Sequence, residues 1–147
     1  MKLIFLDFDG VLNSEASFHM EFRKKKRNQT MTKINETLSE VACSNFQMIL
    51  EAVPEAKIII SSAWRVFFDL DWLKGHLQSY GIDSSRVIGV TGRTLSGHRG
   101  REIRETLEDL QEKNPGEPIE YIIIDDSVGD LQLYKDCLLY TSDAADE

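Results

Sequence analysis

Two carboxylates two positions apart close the first apolar run of the chain, in which Lys2-Leu-Ile-Phe-Leu6 is followed by Asp7-Phe-Asp9-Gly10. A buried strand does not end in acids for packing reasons, because a buried carboxylate is costly unless a cation or hydrogen-bond donors compensate it. If the segment stays extended, period-two alternation turns Asp7 and Asp9 to one side and Phe8 into the core. The pair is therefore expected to share a metal, with Gly10 opening a turn that a Cβ would obstruct. A second acidic pair, Asp125-Asp126, closes the later run Ile119 to Ile124, and Asp130 follows within the next turn. Between these pairs, Lys57-Ile-Ile-Ile60 ends in the hydroxyls Ser61-Ser62, and Ala63-Trp64-Arg65 then sets a large aromatic beside a cation. By burial habit Trp64 is a core residue, with a substrate platform as the functional alternative. The loop from Thr91 to Gly100 carries Arg99, and Arg101 follows at the start of a helix. Arginine there opposes the helix dipole, which invites a functional reason.

The elements that must position these groups alternate. After the opening strand, Ser44 reads as an N-cap ahead of a helical stripe of Phe46, Ile49, Leu50 and Val53. A strand over Lys57–Ile60 precedes a helix over Asp69–Tyr80, stopped by Gly81. A short strand over Arg86–Val90 leads to a helix with Ile103, Leu107 and Leu110 on one face, and then to the strand that ends at Asp125. Such alternation implies an α/β fold with a mainly parallel sheet and right-handed crossovers. Ligands of such sheets bind outside the carboxyl ends of the strands. Strand order 3-2-1-4 collects the acids there.

With 147 residues the chain is about one domain. Its formal charge of -8 argues against nonspecific binding along a nucleic-acid backbone. No apolar run approaches the ~20 residues needed to span a bilayer, and the start lacks a signal-peptide pattern, so a cytoplasmic protein without membrane partners is expected. Cys43 and Cys137 are too few for a disulfide scaffold, and Cys43 reads as a small hydrophobe. His19, His76 and His98 are scattered, and a structural reading outweighs a ligand role for each. Residues 14–40 form a polar insert containing Arg23-Lys-Lys-Lys-Arg27, which reads as a solvated face or as a flap that draws in a polyanion. The last eleven residues, Cys137 to Glu147, resemble the translation of a transposon-based sequencing adapter. A domain over 1–136 with a non-native tail over 137–147 and a truncated fifth strand is therefore expected. An edge strand over Leu138–Tyr140 is the alternative.

Taken in order, Asp7-Phe-Asp9-Gly10-Val, Ile-Ile-Ile-Ser61, a basic residue at Arg99 or Arg101, and Ile-Ile-Ile-Asp125-Asp126 resemble the four motifs of the haloacid dehalogenase-like (HAD) phosphohydrolase superfamily. Asp-Gly-Val-Leu-Asn, Ser-Ser-Ala-Trp-Arg and Arg-Gly-Arg-Glu-Ile look closest to a subgroup found within multi-domain RNA repair proteins and in phages. The resemblance implies a Rossmann-like three-layer sandwich without a large cap domain, and a phosphatase that works through an aspartyl-phosphate. It makes Asp7 the nucleophile and Asp9 the general acid and then base. Mg²⁺ would be held by the side chains of Asp7 and Asp125 and by the backbone carbonyl of Asp9, with Asp126 or Asp130 holding a metal-bound water or orienting the basic residue. Ser61, with Ser62 as the fallback, would bind a phosphoryl oxygen, and Arg99, with Arg101 as second choice, would neutralise its charge. Capless members tend to act on large substrates, so Trp64 and Arg65 could serve a polynucleotide end by base stacking and phosphate contact, without a stable nucleic-acid complex.

Two other classes fit less well. A phosphoryl-binding regulatory module would keep the acidic pocket, but the Asp9-Gly10 position and the Ser61-Ser62 pair do not require it. A glycosyltransferase is suggested only by Asp-x-Asp, which lies too early in too short a chain.

Overall fold

A computed structural model describes residues 1–13, 36–92, 98–126 and 131, together with the backbone of 138–140. Five apolar segments form one parallel sheet: β1 (Lys2–Leu6), β2 (Ala56–Ile60), β3 (Val87–Val90), β4 (Glu120–Asp125) and β5 (Leu138–Tyr140), in the order β3-β2-β1-β4-β5. This is the expected 3-2-1-4 order with a fifth strand at the edge. The sheet thus runs past the expected boundary at 136, because Leu138–Tyr140 pairs with Ile123–Asp125. Residues 141–147 lie outside the described residues, as does Cys137.

Among the described residues three α-helices cover the sheet: α1 (Glu40–Ala52), α2 (Leu70–Ser79) and α3 (Arg99–Lys113). Alternation along the strands divides the core between two faces. Ile4, Leu6, Ile58 and Ile60 pack with Phe46 and Leu50 of α1 and Leu73 and Leu77 of α2. Leu3, Phe5, Ile59 and Ile123 pack with Ile103 of α3 on the other. The result is the expected three-layer sandwich. Among the described residues there is no separate cap domain. Among the described residues no helix is long and apolar enough to cross a membrane.

The helix boundaries carry one correction. Helix α1 begins at Glu40, with Ser39 as N-cap accepting from the Ala42 amide, so Ser44 lies inside the helix and Glu40 does not belong to the insert. Cys43 extends the buried stripe one turn ahead of Phe46, and its burial pushes the thiol up to about 11, as suits an inert core residue. Helix α2 is capped by Asp69, whose carboxylate accepts from the Trp72 amide, and the chain turns out of it through Gly81 at φ +85°. The basic run Arg23–Arg27 lies outside the described residues.

Candidate active site

The parallel register builds the site. Val90, Ile60, Leu6 and Ile124 lie side by side across β3, β2, β1 and β4, so the next residue on each strand is Thr91, Ser61, Asp7 and Asp125. Backbone bonds carry the ladder one step further, from the Asp7 amide to Ile124 O (3.0 Å), the Ser61 amide to Leu6 O (2.8 Å) and the Thr91 amide to Ile60 O (2.9 Å). Neighbouring strands are about 4.8 Å apart, which sets Ser61 and Asp125 on either side of Asp7.

Strand β1 stops at Leu6, and the period-two expectation stops with it. The Phe8 carbonyl accepts from the amides of Val11, Leu12 and Asn13, closing a tight turn in which Gly10 has φ +78°. Phe8 is fully buried in the core, as expected. The two opening carboxylates diverge. Asp7 groups with Asp125 and Asp126, with one oxygen of each lying within 4.8 Å of the others, and the Asp9 carboxylate is not part of that cluster. Asp9 instead uses Oδ1 to accept from Trp64 Nε1 (2.8 Å) and Asn13 Nδ2 (2.9 Å). A metal shared by both side chains is therefore corrected to a cluster of Asp7, Asp125 and Asp126. Gly10 has a second reason to be glycine: a Cβ there would lie 2.0 Å from Asp126 Oδ2, so this carboxylate is seated against bare backbone.

Arg99, the first residue of α3, reaches into the cluster. Its Nη1 donates to Asp125 Oδ1 (2.9 Å) and Oδ2 (2.8 Å) and lies 3.4 Å from Asp7 Oδ2. These carboxylates hold the guanidinium charged despite its burial, and they offset the unfavourable helix dipole. Arg101 is 58% exposed and pairs with Glu105, so of the two basic candidates only Arg99 reaches the acids.

One guanidinium does not balance three acids. Burial pushes the Asp7 carboxyl well above the ordinary carboxylate range; Arg99 opposes this, while Asp125 and Asp126 add to it. Partial burial, and then Asp125, also raise Asp126. Ionised, the cluster carries two negative charges beyond Arg99, on hard oxygen donors. That donor set fits a divalent cation such as Mg²⁺.

Three expected contacts with substrate are corrected. Trp64 is 1% exposed, inside a 3₁₀ turn over Ala63–Val66, so no ring face is open for stacking. Arg65 turns Nη1 to Ser62 O (2.6 Å) and Nη2 into a buried ion pair with Glu102 of α3 (2.7 Å), while its buried Nε has no partner among the described residues, so its guanidinium is held inside the protein. Ser62 is fully buried and caps the 3₁₀ turn by accepting from the Trp64 amide. The segment Ser62-Ala-Trp-Arg65 is thus a brace, tied to Asp9 on one side and to the helix of Arg99 on the other. Ser61 differs, because its buried hydroxyl has no partner among the described residues. Thr91, at the next strand end, shares that state and was not expected from the sequence. Extending the strand-end rule to β3 would have found it. Asn13 was also missed, and its spacing of four from Asp9 was the available signal. Asp130 lies outside the described residues.

Two comparisons with known proteins agree with this arrangement. The chain resembles the HAD domain of the effector protein Lem4 from Legionella pneumophila, with a TM-score of 0.54 and 18% identity, over 96% of this chain and 86% of that one. At that identity the likeness is one of fold. No curated protein matches the sequence significantly. The family model described as the HAD domain in Swiss Army Knife RNA repair proteins matches residues 3–144, nearly the whole chain, and so the chain belongs to that family.

Proposed function

We propose that the chain is a Mg²⁺-dependent phosphomonoesterase that works through an aspartyl-phosphate on Asp7 and takes a polynucleotide end as its substrate. The observation that carries this reading is the in-register row Ser61, Asp7, Asp125 with Arg99 reaching into it from α3. Asp7 attacks phosphorus in line, the bond to the leaving oxygen breaks, and Asp9 hands that oxygen a proton. Water then attacks the aspartyl-phosphate, gives its proton to Asp9 and restores Asp7. The unpartnered Ser61 hydroxyl donates to a phosphoryl oxygen, and Arg99 answers the charge that spreads over those oxygens in the transition state. Mg²⁺, held by Asp7 and Asp125 beside Asp126, supplies the remaining positive charge when bound.

The substrate class rests on two supports. The family is described from RNA repair proteins, and a domain without a large cap excludes water poorly by itself, so a large substrate has to provide cover. Hydrolysis of an aryl phosphate and of a 3′-phosphorylated oligonucleotide, with Mg²⁺ or EDTA, in wild type and Asp7→Asn, tests the reading. Metal-dependent turnover lost in Asp7→Asn is expected. Turnover that survives the substitution sinks the aspartyl-phosphate.

A phosphoryl-binding module without turnover is the second reading. The observation favouring it is that Arg99 Nη1 already engages both oxygens of Asp125. Mg²⁺ binding without hydrolysis of either substrate decides for it.

A further inference from the structure

Asp9 Oδ1 and Oδ2 are not equivalent. Oδ1 accepts from the indole N–H of Trp64 at 2.8 Å and from the Asn13 amide at 2.9 Å, and no described residue donates to Oδ2. Two donors fill the two lone pairs of one carboxylate oxygen, so a proton carried by Asp9 has to sit on Oδ2. Both donors are themselves held. Asn13 is buried, and its own Oδ1 accepts from the Gly10 amide at 2.9 Å, which fixes the side chain inside the turn that carries Asp9. The Trp64 ring meets Phe8 edge-on at 5.1 Å and lies 5.9 Å from both Phe68 and His76, beside the stacked pair Phe68 and Trp72.

We propose that Trp64 and Asn13 are positioning residues for proton transfer, holding Asp9 by Oδ1 so that Oδ2 alone delivers the proton to the leaving oxygen and takes it back from water. This rests on the reading of Asp9 as the proton carrier. In the first step the phosphorus–oxygen bond to the leaving group breaks as the Asp9 Oδ2–H proton moves to that oxygen, giving a free alcohol. In the second, the water oxygen bonds to phosphorus as the Asp7 oxygen–phosphorus bond breaks, inorganic phosphate leaves, and the water's proton goes to Oδ2. Without the two donors, the carboxyl can rotate and present either oxygen. The cost then falls on esters that need an acid, because a good leaving group departs unprotonated.

The test is kcat/KM, which reports the step that forms the aspartyl-phosphate, over monoesters from 2,4-dinitrophenyl phosphate to simple alkyl phosphates. Trp64→Phe and Asn13→Ala are compared with wild type and with Asp9→Asn as the reference for full loss of the acid. Each positioning variant is expected to lose roughly 10- to 100-fold more on alkyl esters than on the dinitrophenyl ester, a part of the 10²–10⁴ a general acid supplies. Thermal unfolding checks that each variant is folded, and if Trp64→Phe is not, Asn13→Ala carries the same reading. An even loss across all leaving groups, or no loss on alkyl esters, overturns the proposal while leaving the phosphatase reading in place. The 3′-phosphorylated oligonucleotide serves as one of the alkyl esters. A wild type inert toward it and every other ester overturns both, and is recognised by that inertness.

Discussion

At the amino edge of the sheet Arg86 donates from Nε, Nη1 and Nη2 to the carbonyl oxygens of Ala56 (2.7 Å), Leu50 (3.2 Å) and Val53 (2.6 Å). At the carboxyl edge Arg99 Nη1 meets two carboxylates, beside a third acid and two buried hydroxyls that have no partner among the described residues. The first arginine braces the end of α1 against the start of β2, adding a donor to the Leu50 and Val53 carbonyls, which also accept from the Val53 and Ala56 amides. The second joins a cluster in which, among the described residues, three acids face one guanidinium and the Ser61 and Thr91 hydroxyls have no partner. Both edges belong to the same strands, so the difference is set by side-chain chemistry and not by backbone. A folded chain tolerates such imbalance where a ligand restores it, which is why the carboxyl edge is read as the site.

The sharpest break of this comparison is chemical. Asp7→Asn is expected to lower turnover by about 10⁴-fold or more, as removal of a nucleophile does elsewhere. Arg99→Ala should cost about 10²–10³-fold in kcat, on the scale of one transition-state charge contact, while Arg101→Ala stays within a few-fold. Equal losses at 99 and 101, read by steady-state kinetics, would refute the assignment of Arg99. The converse break lies at the other edge. Arg86→Met should remove three hydrogen bonds and cost roughly 2–4 kcal/mol, seen as a fall of about 10 °C in thermal midpoint, with kcat of the folded fraction unchanged.

How much of this was legible in sequence follows from which residues obey local rules. Strand order and the acidic row were legible because apolar runs that end in polar groups leave a mark on the chain, and parallel register carries those ends to one edge. The start of α1 was not, because Ser39 and Ser44 are equally good caps and only tertiary burial of Cys43 chooses between them. The divergence of Asp7 and Asp9 was hidden for a related reason. Alternation predicts side-chain direction only while the strand lasts, and β1 ends at Leu6. Of the two readings of Trp64, the core one holds and the substrate platform does not. Beside Arg65 it looks like a base platform, yet aromatic rings recur every fourth residue through Phe68, Trp72, His76 and Tyr80. Only Trp72 and His76 lie within α2, yet the rings pack in sequence across its two ends, and the spacing was the available sign that Trp64 heads a packed column and does not face substrate.

The smallest effect, in stability against pH, separates the two edges by sign. With Asp7 and Asp126 raised in the folded state, the metal-free protein keeps protons that the unfolded chain has released. Its stability from these groups is fully present below the ordinary carboxylate pKa of ~3.9, and is lost as pH rises through their raised folded values. The slope is at most about 1.4 kcal/mol per pH unit for each proton. At the amino edge Glu55 is held below its ordinary value by its hydrogen bond with Lys2, so its contribution runs the other way, but this pair is exposed and screened by solvent. The carboxyl edge should therefore set the trend, and thermal midpoints without metal should fall from pH 4 upward across the acidic range. Asp7→Asn should flatten that fall and be more stable than wild type at pH 7.5 without metal. Mg²⁺ should reverse it, since the ion binds the ionised carboxylates and its affinity rises with pH. A metal-free midpoint that rises over the same range in wild type and Asp7→Asn alike would mean that the acids at the carboxyl edge are already balanced by protein groups, and the contrast between the edges would fail.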